Sequence, residues 1–122
     1  MKTGRLGEDA ACRYLAGLGQ TILERNWRSG HLEVDIITRD LNGLHFVEVK
    51  TLVAPMSAAP EEKVTRLKQS RITAAAQRYL HQSGHPEFNA SEEVFFDVVS
   101  VIFAGDEVTI NYFPQAYLPI YT

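Results

Sequence analysis

Two segments of alternating character, His31–Arg39 and Leu44–Leu52, are joined by Asp40-Leu41-Asn42-Gly43, and this pairing constrains the fold more than any other feature. Apolar and polar residues repeating with period two mark half-buried strands, and a short link of Asp, Asn and Gly marks a tight reversal. If Asp40–Gly43 form the loop, the opposed pairs are Ile37/Phe46, Asp35/Glu48 and Glu33/Lys50 on one face. The other face then carries Leu32, Val34, Ile36, Val47 and Val49; it is wholly apolar and belongs in a core. A shorter Asn-Gly loop shifts the pairing by two and leaves every residue on the same face.

The remaining elements are built around this hairpin. Residues 3–18 read as a helix, with Leu6, Ala10, Ala11, Tyr14, Leu15 and Leu18 on one half of the wheel and Gly19 as the stop. Thr21–Arg28 reads as a short strand. Glu61–Gln82 has helical period with Pro60 just before it, and Ser83-Gly84-His85-Pro86 ends it. Val53–Pro60 is a loop. Glu93–Phe103, a nearly continuous apolar run, and Val108–Phe113 read as strands. The order α-β-β-β-α-β-β over a single domain, 1–122, predicts a mixed central sheet of about five strands flanked by two main helices. After the hairpin, a crossover helix returns the chain to a strand parallel to its neighbour.

Composition narrows the function classes. Apolar residues make up 45% of the 122, enough for a real core, and Cys12 is the lone cysteine, which excludes an internal disulfide or a thiolate metal cluster. MKTGRLGEDA has no apolar stretch of the secretory kind, and the longest apolar run is too short to span a bilayer; the expectation is a cytoplasmic protein with no membrane partner. The net charge of −3 hides a strong segregation: residues 61–85 carry five Lys/Arg against two acids, whereas 86–122 carry six acids and no base. A local basic face therefore survives an acidic total.

The hairpin's polar face is where chemistry is expected. Two ionised carboxylates roughly 5 Å apart at an effective dielectric near 20 repel by about 3 kcal/mol, which exposure, a raised pKa or a cation must offset. Asp35 and Glu48 are hard oxygen ligands suited to Mg²⁺ or Mn²⁺, and Lys50 points the same way, placed to orient or deprotonate a water. The plainer reading is a solvated charged face. Against it, Ile37 and Phe46 share that face, and Lys68 and Arg71 fall inside the apolar arc Val64, Leu67, Ile72, Ala75, Tyr79 of the second helix. Cations there need an anion, a carboxylate or a substrate phosphate; snorkelling at the stripe edge is the other explanation. Cys12 reads as a bystander on the helix's polar side. His31, His45, His81 and His85 read as surface residues, and Trp27, Tyr112, Phe113 and Tyr117 as core aromatics with base stacking as the other option.

At these residues the chain resembles the PD-(D/E)XK, restriction-endonuclease-like superfamily, and within it the YraN-like bacterial family. Gly4-Arg5-Leu6-Gly7-Glu8-Asp9-Ala10-Ala11, Ile22 to Arg28, Glu33-Val34-Asp35-Ile36-Ile37 with Phe46-Val47-Glu48-Val49-Lys50, Arg71 to Leu80, and Phe96-Asp97-Val98-Val99 carry the resemblance in order. Leu32 and Leu52 depart from it, standing where a Gly and an Arg are usual. The resemblance implies an α/β endonuclease-like fold, Asp35 and Glu48 as metal ligands joined by Glu8 from the first helix, Lys50 as catalytic lysine, and nucleic acid as substrate. Glu33 is an auxiliary acid, and Lys68 and Arg71 are expected on the nucleic acid. The function expected is a Mg²⁺- or Mn²⁺-dependent nuclease acting on nucleic acid, DNA being the expected form. The alternative is a non-catalytic nucleic-acid-binding module working with a repair or recombination partner, and a third reading is an interaction protein. A homodimer is a further expectation, since the acidic tail leaves little surface for wrapping DNA.

Overall fold

The computed structural model describes residues 2–55, 65–82 and 93–118. The chain runs α1 (Lys2–Gly17), β1 (Thr21–Ser29), β2 (Leu32–Asp40), β3 (Gly43–Val53), α2 (Arg66–Gln82), β4 (Val94–Ala104) and β5 (Glu107–Phe113). The strands form one five-stranded sheet in sequence order, with β3 and β4 parallel and every other pair antiparallel. This is the α-β-β-β-α-β-β order that the periodicities predict. Parallel pairing of β3 and β4 follows from the route of the chain, because α2 lies between them and returns it to the starting edge. Residues 61–64 of the expected second helix, Pro60, most of the Val53–Pro60 loop and the Ser83–Pro86 stop lie outside the described residues. Among the described residues no helix is long and apolar enough to cross a membrane.

Each helix covers one face of the sheet. On the α1 side, Ala10, Ala11 and Leu15 pack against Ile36, Val47, Val99 and Val101. On the α2 side, Ile72, Ala75, Ala76 and Tyr79 pack against Leu32, Val34, Ile37, Leu44, Phe46 and Phe96. Phe46 and Ile37 are fully buried there, and Phe46 meets Tyr79 edge-on at 5.9 Å between ring centroids. Trp27 stands edge-on to Tyr79 at 5.3 Å, so it serves the core.

The apolar arcs are narrower than the helical wheels predict. Leu6, Leu18 and Leu67 remain 55%, 53% and 62% exposed, and Tyr14 is also exposed. One sheet can cover only the arc that faces it. Cys12, expected on the polar side, is half-buried against the α1 cluster, and burial raises its thiol pKa. α1 ends as the sequence predicts: Gly19 takes φ +94, the Gly19 N–H reaches the Ala16 carbonyl at 3.0 Å, and the Gln20 N–H reaches Leu15 at 3.1 Å.

The hairpin holds the first register considered, with Asp40 opposite Gly43, Ile37 opposite Phe46 and Ile36 opposite Val47. The turn itself is only Leu41-Asn42, and Asp40 Oδ1 accepts the Asn42 and Gly43 N–H groups at 2.9 and 3.2 Å. The expected single apolar face is corrected. Leu32 and Val34 pack under α2, whereas Ile36 and Val47 pack under α1 with Val49 beside them. The alternation breaks between Val34 and Ile36, and it breaks in β1 at the same level, since Arg25 lies opposite Ile36 and Trp27 opposite Val34. Asn26, between those two, has φ +52, a left-handed conformation that Asn tolerates better than most residues. The residue at the break in β2 is Asp35.

A second correction concerns His45, expected at the surface. It is 6% exposed, with Nδ1 2.7 Å from Asp97 Oδ2 and Nε2 3.0 Å from Asp40 Oδ1, the latter an ion pair without hydrogen-bond alignment. Burial opposes its charge, yet the two carboxylates hold its pKa above the ordinary histidine value. Asp97, fully buried, also accepts the Tyr112 hydroxyl at 2.6 Å and the Gln115 N–H at 2.9 Å. Gln20 extends this chain by donating to Tyr112 and accepting from Thr38. This buried network ties β2, β3, β4 and β5 to the chain leaving α1.

α1 approaches β3 where Gly7 faces Thr51; a β-carbon at Gly7 would collide with the Thr51 side chain. Gly7→Ala is expected to destabilise by about 1–3 kcal/mol, the usual scale of overpacking. Adding Thr51→Ala should recover part of that loss, because the collision is greatest at the Thr51 hydroxyl. Urea unfolding midpoints of the two variants check both statements.

Candidate functional site

The strand ladder between β2 and β3 runs from Asp40/Gly43 to Ile36/Val47, so Asp35/Glu48 and Glu33/Lys50 are not ladder partners. Past this point the Val49 N–H is bonded at 2.8 Å to Asp35 Oδ2. A side-chain oxygen thus satisfies a backbone donor where the ladder has ended, which holds the Asp35 carboxylate at the parting of the strands. Glu48 extends on the α2 face of β3 by alternation from Phe46. The two acids come together as expected, but through a splayed pair of strands rather than across an intact hairpin.

Both line a cleft of about 380 Å³ together with His31, Leu32, Glu33, Thr65, Leu67, Lys68, Arg71 and Ile72. Its floor is β2 and β3, and its far wall is the first turn and a half of α2. The Lys68 N–H reaches Thr65 Oγ1 at 3.2 Å, so Thr65 caps the helix that presents Lys68 and Arg71. Five of the residues singled out from sequence (Asp35, Glu48, Glu33, Lys68 and Arg71) therefore share one concavity.

Electrostatics confirm the crowding. Burial, then the Glu48 charge, then at longer range Glu8, push the Asp35 pKa up to about 7, against the Val49 hydrogen bond and Lys68, which favour the carboxylate. Glu48, its side chain 10% exposed, is paired with Lys68 Nζ at 2.5 Å. That contact, more than the opposing cost of burial, raises the Lys68 pKa.

Other expected members sit differently. Lys50 follows Glu48 by two residues and shares its face, half-buried opposite Ser100 of β4, but it does not line the cleft. The cation on Glu48 is Lys68. Glu33 turns outward to Arg28 on β1, with 3.1 Å between charged atoms and a side chain 56% exposed. Glu8 is not brought to the two acids as a ligand: its Oε1 accepts Asn26 Nδ2 at 3.0 Å and lies 3.8 Å from Arg25, in a neighbouring hollow with Gly4 and Arg5. It reaches Asp35 through its charge alone. Helix-wheel reasoning placed Glu8 on the correct side of α1 but could not show that Arg25 and Asn26 would claim it.

Two cleft residues were missed: His31, which precedes β2 on the rim, and Thr65, which caps α2. Outside the cleft lining, Tyr117, stacked on Phe96 at 5.4 Å, has a buried hydroxyl with no hydrogen-bond partner among the described residues. Burial and the charges of Glu48 and Asp97 raise the Tyr117 pKa. His31 carried a signal, being two residues before Glu33. Tyr117 carried none, because its position depends on the chain beyond β5 folding back, with the Ala116 N–H on the Phe96 carbonyl at 2.8 Å.

Among the described residues no group of three or more His, Cys, Asp or Glu is arranged to hold a metal ion. Asp35 and Glu48 nevertheless fit Mg²⁺, which commonly takes one or two carboxylates and completes its shell with water. Burial first and the Glu48 charge second hold the Asp35 pKa up, and a cation beside the two acids would favour its ionised form.

A carboxyl group whose pKa is raised on folding costs stability once ionised. For Asp35 that cost is absent near pH 4, grows between about pH 4 and 7, and is complete above 7. Asp35→Asn keeps an oxygen for the Val49 N–H and removes the charge. It is expected to stabilise the protein by on the order of 2–4 kcal/mol at pH 8 and to have little effect near pH 4. Thermal unfolding of the two proteins across this range, without divalent ions, checks it.

The residues of this arrangement lie within a stretch shared with proteins of several bacteria. Residues 7–101 match the model of the family described as Uncharacterised protein family UPF0102, a span that runs from Gly7 through β4 and includes every acid and cation of the cleft. A UPF0102 protein of Bacteroides thetaiotaomicron is 38% identical over 116 residues, which is 95% of this chain and 92% of that one. One from Syntrophotalea carbinolica is 39% identical over 117 residues, 96% and 92% of the two chains. A third, from Oleidesulfovibrio alaskensis, is 53% identical over 77 residues, 63% of this chain but only 38% of the relative's own length. A family match over most of the sequence, with relatives aligned nearly end to end, means that the chain belongs to UPF0102, the YraN-like family.

Proposed function

We propose that the cleft is the centre of a divalent-metal-dependent phosphodiesterase acting on nucleic acid, with DNA the expected form, in the bacterial cytoplasm. The observation that carries this reading is the convergence of Asp35 and Glu48 at the open end of the β2–β3 ladder, facing Lys68 and Arg71 on α2. Carboxylates on one wall and cations on the other suit a site that must hold both a metal and a phosphate.

Mg²⁺ or Mn²⁺ bound by Asp35 and Glu48 would supply Lewis-acid polarisation of the phosphate and a water acidic enough to attack it. The Val49 N–H fixes the Asp35 carboxylate, so the ligand is oriented before the ion arrives. The Glu48 backbone is held on β3, the middle strand, paired with Val98 of β4. Lys50, one alternation further along β3, would orient the attacking water and stabilise charge developing on the phosphate oxygens as an ammonium donor. Arg71 neutralises charge on the phosphate, whose ester P–O bond breaks as the water oxygen bonds to phosphorus, the water's proton passing through solvent to the departing ester oxygen.

Nicking of supercoiled plasmid in Mn²⁺ tests this. Wild-type protein is expected to nick. Asp35→Ala and Glu48→Ala should fall to background, and Lys50→Ala should be slower by about 100-fold or more, the scale of losing one preorganised donor to developing charge. The position of Lys50 off the cleft wall favours one rival, a non-catalytic nucleic-acid-binding module acting with a repair or recombination partner. Salt-sensitive DNA retention that survives all three substitutions, with no cleavage by the wild type, would establish that rival instead.

A further inference from the structure

The Glu48–Lys68 pair is unequal in a way that has a use. The Glu48 side chain is 10% exposed and fixed to the middle strand, whereas Lys68 is 52% exposed on a flexible stem at the beginning of α2. Breaking the contact would strand the carboxylate in a poorly solvated place but return the ammonium to water at small cost. Asp35 lies in the same wall, and its charge also acts on Lys68. The ammonium therefore holds a Glu48 oxygen that a cation shared by these two acids would need.

We propose that Lys68 is an internal cation that yields Glu48 to a divalent ion and, once released, turns to a phosphate of the nucleic-acid strand. The proposal rests on the metal reading of the cleft given above. An ammonium and a divalent ion repel each other and cannot share one buried carboxylate oxygen at close range. With both acids ionised, the trio of Asp35, Glu48 and Lys68 carries one net negative charge and repels phosphate. A divalent ion reverses that sign, and the released Lys68 joins Arg71, three residues further along the same helix and on the same cleft wall. Binding of the strand thereby becomes conditional on the metal.

Calorimetric titration of the full chain with Mn²⁺ alone tests the exchange in wild type, Lys68→Met, Lys68→Arg and Glu48→Gln. Lys68→Met is expected to bind Mn²⁺ roughly three- to tenfold more tightly than wild type, the range set by loss of a half-exposed ion pair. Lys68→Arg keeps the competing cation and should bind as wild type does, and Glu48→Gln should bind at least about tenfold more weakly. Fluorescence anisotropy with a short labelled single strand gives a second readout. In Ca²⁺, Lys68→Met should bind it several-fold more weakly than wild type, and in EDTA both should bind it only weakly. If wild type binds Mn²⁺ and Lys68→Met binds it no more tightly, the exchange is overturned while the metal reading stands. If neither binds Mn²⁺, the metal reading falls and the exchange with it.

Discussion

The parting of β2 from β3 after Ile36/Val47 is the feature on which the rest of the molecule's character depends. Up to that pair the hairpin is an ordinary ladder; beyond it Asp35 takes the Val49 N–H through its side chain. A buried donor left by a diverging strand must find an acceptor, and a short carboxylate at the point of divergence is well placed to supply one. The same event fixes Asp35 against Glu48, opens the floor of the cleft, and gives the helix that follows β3 something to close over.

This arrangement is held from both sides by interactions that have nothing to do with chemistry. Phe46, Tyr79 and Phe96 weld α2 to the sheet near the cleft. On the opposite face the absence of a side chain at Gly7 lets α1 lie close to β3, which brings Glu8 within electrostatic range of Asp35. The buried Asp97 network, with His45, Tyr112 and Gln20, ties the strands together away from the cleft. The strain of crowding two acids is thus borne by a framework whose own polar groups are largely paired. Proteins commonly concentrate unfavourable electrostatics at a site and offset it elsewhere.

Charge follows the same logic. The total of −3 says little about partners, because among the described acids of the C-terminal third Asp97 is buried, Asp106 lies in a turn and Glu107 ends a ladder, whereas Lys68 and Arg71 stand on one helix above the carboxylates. What a ligand meets is the local field, set by which side chains share a low-dielectric hollow. Lys68 illustrates the point. From sequence it is a cation inside an apolar arc in need of an anion; in the folded chain the anion is Glu48 of the same molecule.

Much of the fold was legible because it depends on short-range periodicity. Two-residue alternation around Asp40–Gly43 specified the hairpin and narrowed it to two registers, of which the chain holds the one pairing Asp40 with Gly43; 3.6-residue recurrence specified both helices, and the helix between β3 and β4 specified their parallel pairing. That Asp35 and Glu48 lie near one another was legible from the hairpin, although they meet beyond the end of its ladder. What only the tertiary structure decided is the break in that periodicity: the left-handed Asn26, the move of Leu32 and Val34 to the α2 side, and the end of the ladder at Ile36. It also decided which partner each charge takes: Glu8 with Asn26 and Arg25, His45 between two acids, and Lys68 on Glu48. Alternation is enforced locally by backbone geometry, so sequence records it. A flip of faces, or a choice among several nearby counter-charges, is settled by packing between elements far apart in the chain, which no local pattern encodes.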